Sequence, residues 1–399
     1  MDTTPFDKRS ALAFVVAWGI VSLFADAAYE GMRGIAGPFL ASLGATGLAV
    51  GVIGGTGELA GYLLRLVSGR IADSTRAYWP ITLIGYVVQM AAVPALALAG
   101  NWWTAAALIV VERAGKAIRN PARDVMISRA GEHIGQGWAF GLHEVLDQAG
   151  AMAGPLIAAL VLALHHDYRA AFAWLLVPSA ITVLSVFALR LRYGAVGKIA
   201  PPAREEARGG TSPAFWLYAA ASALVAFGFA DFTLVSYHFG RAGTVPGDLI
   251  AVFYAGAMGA AGIASLVFGR WFDRIGLKVI YGGIALGVLI VPLAFFGGFW
   301  GALAGTLAWG AALGVHEAVM SAAVASLVPL ESRARAYGLF TAIFGVAWFS
   351  GSAALGALYD VSLPALVALA TAAQLLALWP LTLAVNASAR RPSPDRPAG

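Results

Sequence analysis

The chain has 399 residues, of which 60% are hydrophobic and only 12% charged, and its mean hydropathy is +0.77. Soluble domains carry about 25% charged residues, so an ordinary soluble enzyme, a disordered chain and a DNA-binding module are excluded. The net charge of +5 comes from basic residues in short polar breaks, and the absence of cysteine removes disulfides, Cys-ligated zinc and thiol catalysis. A polytopic membrane protein is what remains.

In lipid only helices and closed barrels satisfy their backbone hydrogen bonds, and the apolar runs here are too long for barrel strands of about ten residues. In chain order they predict twelve membrane helices, at 11–36, 46–68, 78–99, 102–128, 136–164, 169–191, 213–239, 247–268, 277–297, 299–328, 334–358 and 362–385. The first run follows Lys8 and Arg9 in the manner of a signal peptide. It continues past any small-residue cleavage site into further spans, so it reads as an uncleaved helix. With the N-terminus in the cytoplasm, nineteen Lys and Arg residues fall on that side, among them Arg70, Arg129, Lys198, Arg274, Arg333 and Arg390. Only Arg169 and Arg241 fall opposite. This bias puts both termini in the cytoplasm and the chain in the cytoplasmic (inner) membrane.

The polar stretch 193–212, with Pro201-Pro202 and Gly209-Gly210, reads as a flexible cytoplasmic linker. It joins an N-terminal six-helix half, 1–192, to a C-terminal half, 213–386, and residues 387–399 read as a disordered tail. The halves repeat. Gly69-Arg70-Ile71-Ala72-Asp73 returns as Gly269-Arg270-Trp271-Phe272-Asp273, Phe24-Ala25-Asp26 as Phe229-Ala230-Asp231, and Ala153-Gly154-Pro155 as Ser350-Gly351-Ser352. The three offsets are 200, 205 and 197 in unchanged order. Two parallel repeats with a site between them near the midplane form a transporter architecture.

On these residues the sequence resembles the major facilitator superfamily over essentially the whole chain. Gly69 and Asp73 match the family's loop signature, and Gly269, Asp273, Arg274, Gly276 and Lys278 match it more fully. Arg76 stands in the first copy where a glycine is usual. Gly150, Gly154 and Pro155 resemble the GxxxGPxxGG signature of proton-coupled exporters, with Ala158 and Ala159 in place of its last glycines. Glu112-Arg113-Ala114-Gly115-Lys116 is loosely similar to the family's helix-four arginine motif. The resemblance implies an all-α fold of two pseudo-symmetric six-helix bundles. It also implies that Asp73 caps the start of the eleventh helix, near Arg333–Tyr337, and that a basic loop residue pairs with an acid ending helix four. Asp124 is then the expected partner of Arg70 or Arg76. Gly69, Arg70, Asp73, Asp124, Gly269, Asp273 and Arg274 make up the expected cytoplasmic gate.

Charges inside hydrocarbon are costly and mark function by default. Asp26, Glu30 and Arg33 share a face of the first helix, and Glu58 lies in the second. Glu112 shares a face of the fourth helix with Lys116, Arg119 and Arg123, with Arg113 beside it. Glu144 and Asp147 lie in the fifth, Asp231 in the seventh, and His316 and Glu317 in the tenth. All but Lys116, Arg119 and Arg123 are candidates for proton coupling or for the substrate cavity. Structural salt bridges, Glu30–Arg33 and Glu112–Lys116, are the competing reading. Asp26 and Asp231 are expected to face one another across the pseudo-two-fold axis and share a proton. The alternative pairs Asp26 with Lys116 or Arg113. Trp18, Trp138, Trp174, Trp309 and Trp348 read as lipid-facing or packing aromatics.

No phosphate-binding loop or metal-ligand motif stands out, so no cofactor and no metal are expected, the proton gradient being the energy source. The expected function is export of a small molecule by alternating access in exchange for protons, by a monomer in the lipid bilayer with no nucleic-acid partner. A proton-coupled importer or facilitator of a metabolite or metal ion is the alternative, and a membrane-embedded enzyme is the third.

Overall fold

The computed structural model describes residues 7–194, 212–328 and 333–389. The expected linker, apart from its ends, and the tail beyond 389 lie outside these residues, as do the side chains of Arg333 and Arg335.

The helices are α1 (Lys8–Ser42), α2 (Gly47–Thr75), α3 (Tyr78–Ala95), α4 (Trp102–Ile134), α5 (Gln136–His165), α6 (Tyr168–Trp174), α7 (Leu176–Tyr193), α8 (Pro213–Gly228), α9 (Phe232–Ala242), α10 (Gly247–Ile275), α11 (Ile280–Phe296), α12 (Gly298–Leu327), α13 (Arg333–Val361) and α14 (Leu363–Ala389). They make twelve passes, because α6 with α7 and α8 with α9 are single spans interrupted near Leu175 and at Phe229–Asp231. Ten stretches among the described residues are long and apolar enough to cross a membrane, and one of them, Gly247–Phe296, holds both α10 and α11. The remaining pass is α4, whose Glu112, Arg113, Lys116, Arg119, Arg123 and Asp124 depress its hydropathy.

Side chains finish the helix ends where lipid offers no partners. Asp7 and Ser10 form a capping box at α1, with Ser10 N donating to Asp7 Oδ1 at 2.8 Å and Asp7 N to Ser10 Oγ at 3.0 Å. Thr46, Asn101, Asp167, Ser212 and Asp231 cap α2, α4, α6, α8 and α9. After α2 the chain turns through Arg76 at φ 55°, and after α10 through Gly276 at φ 59°. The two copies of the loop signature thus both turn at a positive φ, Arg76 in the left-handed region at ψ 21° and Gly276 at ψ −140°. The arginine pays the steric cost that the glycine avoids.

The packing repeats between halves. In the first, α1 packs on α5 and α7, α2 on α4, and α3 on α4; in the second, α8 packs on α13 and α14, α10 on α12, and α11 on α12. Small residues set the closest approaches, as expected where van der Waals contact drives association. Gly150 and Gly154 of α5 sit against the Leu23 and Ala27 carbonyls of α1, and Gly351 of α13 sits against the Phe227 carbonyl of α8. Gly69 faces Pro121 of α4 as Gly269 faces Ala318 of α12. Across the halves α2 packs on α13, α5 on α10 and α1 on α9.

At the end away from the termini the halves are closed together. Residues 25–40 of α1 and 232–239 of α9 are buried throughout, and Gly37 meets Thr233 and Ser236 directly. Tyr237 Oη donates to the Ala45 carbonyl at 2.8 Å. Asp360, near the end of α13, accepts from the first two amides of α2, Gly47 N and Leu48 N, at 2.9 Å each. A carboxylate on a helix N-terminus is favourable twice over, by hydrogen bonding and by the helix dipole.

Candidate functional site

A cavity of about 580 Å³ lies between the halves and widens toward the side of the termini. From the N-terminal half its lining includes Asp26, Tyr29, Glu30, Arg33, Glu58, Arg65, Arg113, Lys116, Asn120, Arg123, Glu144 and Asp147. From the C-terminal half come Met258, Leu313, His316, Glu317, Phe344 and Trp348. The wall is therefore charged on one side and aromatic or aliphatic, with one carboxylate, on the other.

Most cavity cations are neutralised in place, as buried charges must be. Arg113 Nη2 lies 2.9 Å from Glu58 Oε1, and Arg33 Nη2 lies 3.4 Å from the same oxygen. Arg33 also reaches Asp231 Oδ2 at 3.6 Å. Glu58 of α2 thus bridges α1 to α4, and Arg33 carries the network on to α9. Behind this layer Gln89 Nε2 donates to Glu112 Oε1 at 2.7 Å, while Arg119 Nε donates to Gln89 Oε1 at 2.6 Å. Arg119 Nη2 then lies 3.8 Å from Asp26 Oδ1. The Asp26 carboxyl also meets that of Asp147, one turn before Gly150, so the glycine contacts of α5 hold two acids together. Two carboxyls in contact cannot both be charged cheaply, which makes the pair a place for one shared proton.

Asp231 sits at the break between α8 and α9. Its carboxylate caps α9 through Thr233 N at 2.8 Å, and the freed Ala230 carbonyl accepts from Trp309 Nε1 at 2.9 Å. Irregular backbone at membrane depth is tolerated where it is buried in protein or lines a cavity.

Several expectations change. Asp26 and Asp231 do not pair across the axis: Asp231 is held by Arg33, and Asp26 by Arg119 and Asp147, because basic side chains come between them. Asp26 does pair with a base, as the alternative had it, but with Arg119 rather than Lys116 or Arg113. Glu30 is not tied to Arg33; it accepts from Tyr254 Oη of α10 at 2.5 Å, a bond between the halves. Glu112 meets Gln89 and Arg113, while Lys116 lies over the Tyr29 ring at 3.8 Å. Glu112 and Asp231 are buried behind the cavity wall. Asp124 pairs with its neighbour Arg123 at 2.8 Å, not with Arg70 or Arg76. Arg70, Asp273 and Arg274 are exposed, since the halves stand apart on that side. Trp309 is a packing aromatic, fully buried at the helix break against Phe229, Phe232 and Tyr254. Pattern reading passed over Tyr29, Gln89 and Tyr254. Their polar atoms matter only through partners on other helices.

The profile of the Major Facilitator Superfamily matches residues 18–245. An uncharacterized protein of Mycobacterium tuberculosis is 41% identical over 381 residues, covering 92% of each chain. An uncharacterized MFS-type transporter of Methanocaldococcus jannaschii is 25% identical over 358 residues, covering 86% of this chain and 88% of that one. Among solved structures, the peptide transporter POT in complex with sulfate matches with a TM-score of 0.76 at 15% identity, over 96% of this chain and 98% of that one. The nucleoside transporter NupG gives 0.68 at 13%, over 95% and 100%. A bacterial homolog of the human lysosomal transporter Spinster, in an inward-facing and occupied conformation, gives 0.68 at 16%, over 97% and 99%. The chain belongs to the Major Facilitator Superfamily and is a multi-pass membrane transporter.

Proposed function

We propose that this transporter exports a small molecule from the cytoplasm in exchange for protons, with both termini cytoplasmic and the cytoplasmic membrane as its site. The observation that carries the reading is the Asp26–Asp147 carboxyl pair beside the cavity. It can hold a proton that substrate binding expels, so one cavity serves both cargoes in turn. The antiporter-like glycines Gly150 and Gly154 support this, since they fix α5, and so Asp147, against α1. The basic residues on the side of the termini support the orientation, and the cavity then faces the cytoplasm. Residues 1–192 and 213–386 act as two bodies joined by 193–212, and the pathway is complete within one chain, so a monomer suffices. In the alternate state the Asp360 contacts open, and the loop residues Asp73 and Asp273 close the cytoplasmic side with Arg70 and Arg274.

The test is proton movement in proteoliposomes loaded with a pH-sensitive dye, challenged with aromatic amines, carboxylates and neutral amides. Substrate-dependent proton flux that Asp26→Asn and Asp147→Asn each abolish, with substrate exchange retained, is the expected outcome. Normal proton flux in both variants overturns the assignment.

A further inference from the structure

The charge pattern of the cavity is incomplete, and what it lacks points to cargo. The reading rests on the cavity being the transport site, but not on proton coupling. Seven carboxylates line the cavity against five bases. Arg33 and Arg113 share Glu58, and Arg123 holds Asp124. Of the other two bases, Lys116 lies on the Tyr29 ring and Arg65 is exposed at the mouth. Glu144 of α5 and Glu317 of α12 are exposed to the cavity from opposite halves, and neither has a basic partner within ion-pair distance among the described residues.

A second observation is independent of those acids. Asn120 lines the cavity at 8% exposure, and its Oδ1 has no hydrogen-bond partner among the described residues. A buried acceptor left unpaired is costly, and an N–H donor relieves it. Tyr62, Phe344 and Trp348 complete the wall, with the Tyr62 and Phe344 rings 6.0 Å apart edge to face. Aromatic faces attract cations and cover apolar bodies. The Trp348 indole N–H also lacks a partner among the described residues, leaving a place for one acceptor on the ligand. At about 580 Å³ the space suits a drug-sized molecule.

We infer that the cargo is an amphipathic organic ammonium ion. Its N–H groups sit between Glu144, Glu317 and Asn120, and its aromatic or aliphatic body lies against Tyr62, Phe344 and Trp348. Lys116 and Arg65 line the same cavity and disfavour a second positive charge, so a single cationic group is recognised.

Three solutes of one shape but different charge test this: 2-(1-naphthyl)ethylammonium, 1-naphthylacetate and 1-naphthylacetamide, titrated by calorimetry into the purified protein in lipid nanodiscs. The ammonium ion is expected to bind about tenfold or more tighter than the amide, and the carboxylate weakest. Glu317→Gln and Glu144→Gln should each weaken ammonium binding about tenfold and leave amide binding unchanged, which separates charge recognition from loss of fold. Tighter binding of carboxylate or amide, no binding of the ammonium ion, or unaltered ammonium affinity in both variants overturns the inference. Absent proton flux with these affinities intact counts against proton exchange and leaves the cargo class standing.

Discussion

Asp26 and Asp147 are one turn or less from glycines or alanines that let α1 and α5 touch, and that contact is what brings two acids together. Removing it has a measurable cost. Gly154→Val places a branched side chain on the Ala27 carbonyl, and overpacking of this kind costs about 1–3 kcal/mol. The variant should lose thermal stability in detergent by differential scanning fluorimetry, with Gly259→Val, which faces the flexible end of Met152, as the milder control. The two loop turns offer a complementary comparison. Arg76→Gly relieves a left-handed residue and should leave stability equal or higher by up to about 1 kcal/mol. Gly276→Ala, at φ 59° and ψ −140°, enters a region open essentially to glycine and should destabilise by about 1–3 kcal/mol. The same fluorimetry checks both. At this scale the sequence was legible in part. Intramembrane charges announced themselves, and nine of the eleven cavity candidates line the cavity, with His316 among them. Their partners were not legible, because Arg119 reaches Asp26 and Tyr254 reaches Glu30 through contacts between helices that no spacing along one helix encodes.

At the scale of the element, the pair α2 and α13 deserves its own experiment. The helices run antiparallel, so the N-terminus of each lies beside the C-terminal end of the other. Glycines 47, 51, 55 and 356 bring their backbones into contact, and Asp360 fastens the end away from the termini. Asp360→Ala removes two charge-assisted hydrogen bonds and a favourable dipole contact, worth roughly 2–4 kcal/mol in the closed form. Spin labels at Leu48 and Val361, both exposed and placed in a chain without native cysteine, should report a longer distance in that variant by electron–electron resonance. An unchanged distribution would make the clamp an ornament of the closed end. Element order and span number were readable from hydropathy, since twelve expected spans meet twelve passes. The interruptions at Leu175 and at Phe229–Asp231 were not, because each broken span still reads as one continuous apolar stretch. Asp231 is the one sequence signal of the second break, an N-cap residue placed where a straight helix would have none.

For the whole molecule, the repeat seen as three short sequence matches is now a repeat of packing, with Gly69 on Pro121 and Gly269 on Ala318 in equivalent places. Composition carried the class, the long apolar runs the helices, and the repeated motifs the two bundles. Orientation is the remaining global property. Single cysteines at Ser74 and Arg274, both exposed, should be labelled by a membrane-impermeant maleimide only from the cytoplasmic side, and cysteines at Gly44 and Gly243 only from outside. Labelling in the reverse sense inverts the direction assigned to the cavity.

The near-neutralisation of the cavity cations has an electrical consequence. A membrane potential of 100 mV acts on each uncompensated charge that crosses it with about 2.3 kcal/mol. Arginines locked to carboxylates rearrange as neutral groups, so the field finds little in them to pull. If one ammonium ion leaves for each proton that enters, the complete cycle transfers no net charge. Transport should then follow a pH difference set by buffers and ignore a potassium diffusion potential set with valinomycin at equal pH.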